Sequence, residues 1–152
     1  MPVSNLASTT AMYCRGLNLR VIGRFENHDG FDGVMLGVAG ADYHFEFTHS
    51  RSHPVPPAPA LEHLAVFYIP SALEWQATCT SMLAAGFKQV APFNPYWGAR
   101  GRTYEDRDGY RIVLQQEKWS NAERPSSGKL RLPAATALVD KWQFTRKDGT
   151  PY

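Results

Sequence analysis

Charge of one sign, cysteine and long hydrophobic runs are all scarce in this sequence of 152 residues. Its 16 Lys and Arg residues nearly balance its 14 Asp and Glu residues, which leaves a formal charge of +2. Nucleic-acid-binding domains normally carry a dense basic face, so this balance argues against such a partner. No apolar run approaches the roughly 18 residues that cross a bilayer, and the N-terminus does not resemble a secretory signal. We therefore expect a soluble cytoplasmic protein without a membrane partner.

The sequence also lacks the motifs of several common enzyme classes. It contains no GxGxxG, no Walker loop, no GxSxG and no HExxH, so dinucleotide, phosphate-loop, serine-hydrolase and zinc-protease chemistry lose most of their support. Neither Cys14 nor Cys79 belongs to a CxxC pair. Free thiols are the usual state of such residues in a reducing compartment.

What the sequence does contain is an alternation of helix and strand patterns. The first predicted helix spans residues 5–15, and Gly16 follows it at a place where a positive φ favours glycine. A second helix begins at a capping box formed by Ser71 and Glu74 and runs to Gly86. The predicted strands cover residues 19–25, 33–38, 43–48, 64–69, 87–91, 102–105 and 110–116.

The two halves of the chain repeat each other. Each contains a helix, a glycine, two strands, a turn and a last strand, and residues 43–47 match residues 110–114 at an offset of 67. A repeat of this length indicates a duplicated module. Only Met1 to Ser4 precede the first helix, so we expect the first module to lack most of its first strand.

Proline and charge mark the boundaries between these parts. Four prolines between residues 50 and 60 exclude regular structure there. Residues 1–117 carry nine basic and eleven acidic residues, whereas the remainder carries seven and three, so the basic surplus belongs to a tail. We expect this tail to be a mobile extension or a strap over an exposed edge. The expected organisation is a truncated first module at 4–49, a proline-rich linker at 50–60, a second module at 61–117 and a basic C-terminal extension at 118–152.

Six short segments carry a more specific pattern: residues 16–19, 32–37, 43–48, 64–70, 94–97 and 105–110. Their order and spacing resemble the vicinal oxygen chelate superfamily of glyoxalases, bleomycin resistance proteins and extradiol dioxygenases. The last segment looks like the family's Asp-Pro-Asp-Gly turn, with Arg107 in place of proline. The resemblance implies an α+β fold in which paired βαβββ modules form a cupped mixed sheet around a cavity, often with modules paired across a homodimer. The resemblance determines the architecture of the protein better than it determines the reaction, because one fold supports many functions.

The resemblance also identifies where a metal ion would bind. Metal-using members take His or Gln from the first strand of each module and Glu from the last. Here Glu46 occupies one such position, but Leu64 and Val113 occupy both positions of the second module. His63 would take part only if its strand slipped by one residue, which would turn the apolar side chains to the wrong face. One carboxylate does not hold a divalent ion tightly, so we expect no cofactor, with a metal at Glu46 and His63 as the alternative.

Strand alternation extends the candidate cavity beyond Glu46. Side chains in register with it combine apolar walls with a few polar anchors. The aromatic loop at 93–98 would lie at the rim, where a flat ligand could stack or a dimer contact could form. The expected cavity residues are His44, Glu46, Thr48, Leu64, Val66, Tyr68, Tyr96, Trp97, Arg111, Val113 and Gln115.

The roles of individual polar residues remain open from the sequence. Arg111 either pairs with Glu46 across the cavity floor or is free to hold an anionic ligand. His44 is either a general base or a structural residue. Residues 28–33 lack the spacing of a calcium-binding loop and are interpreted as a turn.

Two functions from different classes follow from these observations. The first is a small-molecule-binding protein of the bleomycin-resistance type, homodimeric, with a degenerate metal site. The second is a metal-dependent enzyme, either a glyoxalase-like lyase or a dioxygenase-like oxidoreductase.

Overall fold

The computed structural model describes residues 1–56 and 60–119. The predicted C-terminal extension therefore lies almost entirely outside the described residues. No helix in the described part of the chain is long and apolar enough to cross a bilayer. The elements, in chain order, are α1 (Leu6–Leu17), β1 (Arg20–His28), β2 (Phe31–Gly37), β3 (Phe45–Ser50), β4 (Leu64–Tyr68), α2 (Ala72–Ala84), β5 (Lys88–Val90), α3 (Tyr96–Ala99), β6 (Gly101–Glu105) and β7 (Arg111–Gln115).

The strands form two sheets, one in each predicted module. The first sheet has the order β1-β2-β3 and is antiparallel. The second sheet has the order β4-β7-β6-β5, in which β4 runs parallel to β7 and the other pairs are antiparallel. This mixed α+β architecture confirms the predicted fold class.

The first module keeps only a remnant of its first strand, as the sequence predicts. The Val3 N–H donates to the Thr48 carbonyl at 2.8 Å, and the Thr48 N–H donates to the Met1 carbonyl at 3.0 Å, so Pro2 pairs with Thr48 in parallel. In the second module the Ile69 N–H donates to the Gln115 carbonyl in the same way, at 2.9 Å. Thr48 and Gln115 are 67 positions apart, so the strand ladder reproduces the offset of the sequence repeat.

Residues 28–33 form a tight turn rather than a loop. Asp29 and Gly30 have φ values of 49° and 84°, which is the pair of positive angles that a two-residue type I′ hairpin requires. The Asp32 carboxylate accepts the Asn27 N–H at 2.9 Å and three hydrogen bonds from the Arg51 guanidinium at 2.6–3.0 Å. The hydrogen bonds from Arg51 lower the pKa of Asp32. The interpretation of this segment as a turn is therefore confirmed.

Helix α1 ends later than the sequence predicts. Asn5 caps its first turn by accepting the Ser8 N–H at 2.8 Å, and the left-handed residue at its end is Asn18, with a φ of 55°. Gly16 lies inside the helix. A Cβ atom at Gly16 would lie 2.9 Å from the Met82 sulfur and 3.0 Å from the Phe87 ring. This glycine is therefore required for the close approach of the two modules and not for a positive φ.

Helix α2 follows its sequence signals at both ends. The Ser71 hydroxyl accepts the Glu74 N–H at 3.3 Å, as expected of a capping box. At the other end Gly86 has a φ of 98°. Its N–H donates to the Leu83 carbonyl, and the Phe87 N–H donates to the Met82 carbonyl. This is the Schellman arrangement, which satisfies carbonyls at a helix end.

A shared core joins the two modules. Tyr13 of α1 is fully buried, and its ring lies 4.6 Å from the Phe47 ring and 5.2 Å from the Phe87 ring. Its hydroxyl donates to the Asp106 carboxylate at 2.9 Å. The same carboxylate accepts the N–H groups of Asp108 and Tyr110, each at 2.9 Å. Burial raises the pKa of Asp106, and these hydrogen bonds act against that shift.

We predict that the Tyr13→Phe substitution destabilises the protein by about 2 kcal/mol, because it leaves a buried carboxylate oxygen without its donor while keeping the ring. Urea unfolding monitored by circular dichroism measures this difference. Tyr96→Phe is the matched control, since Tyr96 is 57% exposed and lies outside the shared core. Equal stability of the two variants would show that the Tyr13–Asp106 hydrogen bond does not hold the modules together.

Candidate functional site

Alternation along β7 divides its side chains between the two faces of the second sheet. Ile112 and Leu114 belong to the core that also contains residues of α1 and α2, so Arg111, Val113 and Gln115 point to the opposite side. These three are 9%, 0% and 2% exposed. We call this opposite side of the second sheet the cup face.

Strand register arranges the cup face in three rows across β4, β7 and β6. The first row contains Leu64, Arg111 and Glu105. The second contains Val66, Val113 and Thr103. The third contains Tyr68, Gln115 and Gly101. All predicted cavity residues of β4 and β7 therefore share one face of one sheet.

Arg111 pairs with Glu105 and not with Glu46. Its Nε and terminal nitrogen each lie 3.0 Å from the same Glu105 oxygen. The two residues stand directly opposite each other on β7 and β6, where opposite charges stabilise a strand pair. The expected pairing of Arg111 with Glu46 is therefore wrong, and Arg111 is also not the free cation that the other interpretation required.

The cup-face residues of β6 are those that sequence reasoning missed. Thr103 and Glu105 alternate along the predicted strand 102–105, so the period-two signal was present, and the structure extends this strand to Gly101. The sequence did not predict which residues of β7 they pair with. This register depends on the five-residue connection between β6 and β7, in which Asp106 accepts two backbone hydrogen bonds. Thr103 is 2% exposed, and its hydroxyl has no hydrogen-bond partner in the described part of the chain.

The corresponding face of the first sheet is more open. Glu46 and Thr48 alternate with Phe45 and Phe47, which pack in the core. The side chains of His44 and Glu46 are each 44% exposed, and His44 Nε2 lies 3.8 Å from a Glu46 oxygen. This distance indicates a loose surface pair, worth little when solvated.

Gly33 leaves room for an aromatic ring on this face of the first sheet. Gly33 pairs with Thr48, and Phe25 pairs with Gly33. The Phe25 ring lies directly over Gly33, where a Cβ atom would overlap it. The first sheet thus presents an aromatic surface next to Thr48 and Glu46.

Within this chain the predicted cavity residues line different cavities. Leu64 and Arg111 line one of about 310 Å³ together with His63, Met1 and Phe45. Thr48 lines one of about 160 Å³ with residues of the proline-rich segment. A cavity of about 430 Å³ on the cup face is lined by Val90, Gly98, Gly101 and Thr103, among others. Among the described residues, none of these three cavities is lined by both Thr48 and a cup-face residue.

The predicted aromatic loop forms the short helix α3 at the edge of the cup face. The rings of Tyr96 and Trp97 contact edge to face at 4.9 Å. A Cβ atom on Gly101 would lie 2.6 Å from the Trp97 carbonyl oxygen and 2.5 Å from Gln115 Oε1. Helix α3 therefore sits directly against the third row of the cup face.

The residues at the expected metal positions do not fit a divalent cation. Leu64 and Val113 offer no ligand atom, and Val113 is fully buried between Val66 and Thr103. The register of β4 is continuous, so the slip that would turn His63 onto the cup face is absent. Among residues 1–56 and 60–119, no group of three or more His, Cys, Asp or Glu side chains is placed to hold a metal ion.

Comparison with known proteins matches both modules of the chain. A model of the YycE-like N-terminal domain matches residues 1–48, and a model of the YycE-like C-terminal domain matches residues 62–116. The uncharacterized protein YycE of Bacillus subtilis strain 168 is 42% identical over 117 residues, which cover 77% of this chain and 84% of that protein. The 2.0 Å crystal structure of B. subtilis YycE superposes with a TM-score of 0.74 at 40% identity, covering 80% of this chain and 89% of that one. It is described as a protein of unknown function and as a candidate glyoxalase or fosfomycin resistance protein.

More distant structures share the fold. The fosfomycin resistance protein FosX of Mesorhizobium loti has a TM-score of 0.58 at 12% identity and covers 78% of this chain and 87% of its own. The trypanothione-dependent glyoxalase I of Leishmania major has a TM-score of 0.58 at 17% identity, with coverages of 77% and 82%. At these identities the likeness concerns the fold alone.

We predict that Arg111→Met destabilises the protein by about 3 kcal/mol, because it leaves the partly buried Glu105 carboxylate without its cross-strand partner. The double variant Arg111→Met with Glu105→Met should recover most of this loss, since both charges are removed together. Urea unfolding provides the measurement. Glu46→Gln is the control and should change stability by less than about 0.5 kcal/mol, as an exposed site does. A larger effect at Glu46 than at Arg111 would contradict the assigned pairing.

Proposed function

The chain belongs to the YycE-like family of the vicinal oxygen chelate superfamily, and on that premise we propose that it is a small-molecule-binding protein of the bleomycin-resistance type. In this proposal the cup face holds an organic ligand without a metal ion and without changing it chemically. The two free thiols, Cys14 and Cys79, are consistent with a reducing cytoplasm as its location.

The observation that carries this proposal is the chemistry of the second row of the cup face. Val113 stands where metal-using members of the superfamily have glutamate, with Val66 and Thr103 on either side. Leu64 stands where they have histidine or glutamine. An apolar wall at both positions favours burial of apolar ligand surface, whereas it supplies none of the oxygen or nitrogen atoms that a divalent ion needs.

The alternative, a metal-dependent lyase or dioxygenase, would need a different set of ligands. Glu46 is the one residue at an expected ligand position with a carboxylate, and that carboxylate lies 3.8 Å from His44 Nε2. A site built on these two exposed side chains would lack both second-module ligands. The named activities of FosX and of glyoxalase I belong to those proteins, and their likeness to this chain is one of fold.

We further propose that the protein forms a homodimer, which the superfamily resemblance implies. An exposed apolar patch supports this proposal. We call it the first-sheet patch, and it consists of Ile22, Val38 and Tyr43, which are 54%, 51% and 61% exposed. The Ile22 side chain and the Tyr43 backbone both lie against Gly37, so the patch is continuous at one end of the first sheet. Continuous apolar patches on soluble proteins commonly mark interfaces.

We predict that protein purified without chelator contains far less than one equivalent of manganese, iron, nickel or zinc per chain. Inductively coupled plasma mass spectrometry measures the content directly. As a second readout, addition of these ions to a chelator-treated sample should leave the midpoint of thermal unfolding unchanged, because a specifically bound ion would raise it. Stoichiometric metal after purification would reject the metal-free proposal in favour of the enzyme.

We predict that Ile22→Asp converts the dimer to a monomer in sedimentation-velocity experiments, because it places a charge in the first-sheet patch. Leu73→Asp is the matched control. Leu73 is 82% exposed but lies on α2, away from this patch, and the substitution should leave the dimer intact. A wild-type protein that sediments as a monomer, or a Leu73 variant that dissociates while the Ile22 variant does not, would contradict the assignment.

A further inference from the structure

We infer that the cup face binds a neutral aromatic ligand that carries a hydroxyl group, and that Gln115 and Thr103 recognise this hydroxyl. The inference rests on the proposed small-molecule-binding function and adds the chemical class of the ligand. Three features of the cup face lead to it: unpaired buried polar atoms, neutralised charges and aromatic rings around one row.

The unpaired atoms are Thr103 Oγ1 and Gln115 Oε1. Both residues are 2% exposed, and neither atom has a hydrogen-bond partner in the described residues. Buried polar groups are normally paired, so each such atom calls for an explanation. Thr103 and Gln115 are diagonal neighbours on β6 and β7, since Gln115 pairs with Gly101 two residues away from Thr103. Diagonal neighbours on one sheet face lie about 7–8 Å apart, a span that one bound polar group can bridge.

The orientation of the Gln115 amide determines which ligand group fits. Its nitrogen donates to a Glu117 oxygen at 3.1 Å, and because a carboxylate only accepts, the free atom of the amide is the oxygen. Gln115 Oε1 therefore needs a donor. A hydroxyl group donates one hydrogen bond and accepts another. It can satisfy Gln115 Oε1 as a donor and accept from the Thr103 hydroxyl at the same time.

The charges of the cup face argue against an anionic ligand. Arg111 is engaged by Glu105 at 3.0 Å. At the other end of the face, Glu117 receives the Gln115 amide and lies 3.5 Å from Arg100. Arg102 also lines the neighbouring cavity, but its guanidinium lies over the Trp75 ring, 4.7 Å from the ring centre. An anion bound at Gln115 would face a free acceptor oxygen and the adjacent Glu117 carboxylate, whereas a neutral hydroxyl donates to that oxygen and leaves both ion pairs intact.

Aromatic side chains surround the same end of the face. Tyr68 is the neighbour of Gln115 in the third row, and Tyr96 and Trp97 stand on α3 against Gly101. The Tyr68 ring lies 5.2 Å from the Trp119 ring. A cavity of about 430 Å³, lined by Gly101 and Thr103 but by none of these rings, adjoins the third row and falls within the usual size of ligand pockets. Flat rings stack well on such side chains.

The experiment compares three probes of one shape by two-dimensional ¹H–¹⁵N NMR titration of the full chain. 2-Naphthol is neutral and carries a hydroxyl, naphthalene lacks it, and 2-naphthoate is an anion. We expect 2-naphthol to bind at least about five-fold more tightly than the other two, as a hydrogen bond of ordinary strength provides. The largest shifts should fall on the amides of Thr103, Gln115 and their strand neighbours.

Two nearly isosteric variants test the assigned residues. Thr103→Val and Gln115→Met should each weaken 2-naphthol binding about five-fold and leave naphthalene binding unchanged. Thr103→Val should unfold at the same temperature as the wild type or higher, because it removes a buried polar atom that has no partner among the described residues. Gln115→Met should unfold at a slightly lower temperature, because it also removes the hydrogen bond to Glu117. Thr80→Val, on the exposed face of α2, is the control and should change neither property.

The outcomes separate this inference from the proposed function. Equal binding of all three probes, or tighter binding of 2-naphthoate, keeps the binding function and overturns the neutral hydroxyl class. Variants that unfold at lower temperature and bind 2-naphthol as the wild type does would show that Thr103 and Gln115 are structural, which also overturns the inference. Absence of shifts with every probe would contradict both the inference and the proposed binding function.

Discussion

The arrangement of the two modules depends on one buried carboxylate, that of Asp106. It accepts two backbone N–H groups from its own turn and the hydroxyl of Tyr13 from the other module. Nearby, the Ser4 N–H donates to Asp108 and the Tyr110 hydroxyl donates to the Pro2 carbonyl. Removing one donor from a buried charge costs more than an ordinary hydrogen bond contributes. The turn between β6 and β7 therefore positions helix α1 and the N-terminal residues together.

This turn also determines the chemistry of the cup face. Because it sets the register of β6 against β7, Glu105 stands opposite Arg111 and Thr103 stands opposite Val113. The first pairing neutralises the cation that would otherwise attract an anionic ligand. The second places the buried Thr103 hydroxyl beside the fully buried Val113. In the proposed function a bound ligand satisfies these groups in place of protein atoms, so the empty protein gives up some stability for recognition.

Local signals in the sequence predicted most of the fold. The Ser71 capping box, the Asp29-Gly30 turn and the left-handed Gly86 each depend on neighbours within a few residues, so they are readable without the tertiary structure. The repeat offset of 67 was equally readable, because both modules have the same strand alternation. The role of Gly16 and the helical structure of the aromatic loop could not be predicted from the sequence. Gly16 is needed for the approach of Met82 and Phe87 from the other module, and residues 96–99 become helical where they pack against β6.

The sequence by itself determined the α+β class, the duplicated modules, the shortened first strand and the set of side chains that face away from the core. These follow from periodicity and local hydrogen bonding, which act over a few residues. Only the tertiary structure decided which of those side chains meet. Arg111 could pair with either of two carboxylates, Glu46 or Glu105, depending on how the strands align. The register of β6 against β7 selects Glu105. Register depends on the buried turn at Asp106 and on packing between distant segments, and no local pattern encodes either of them.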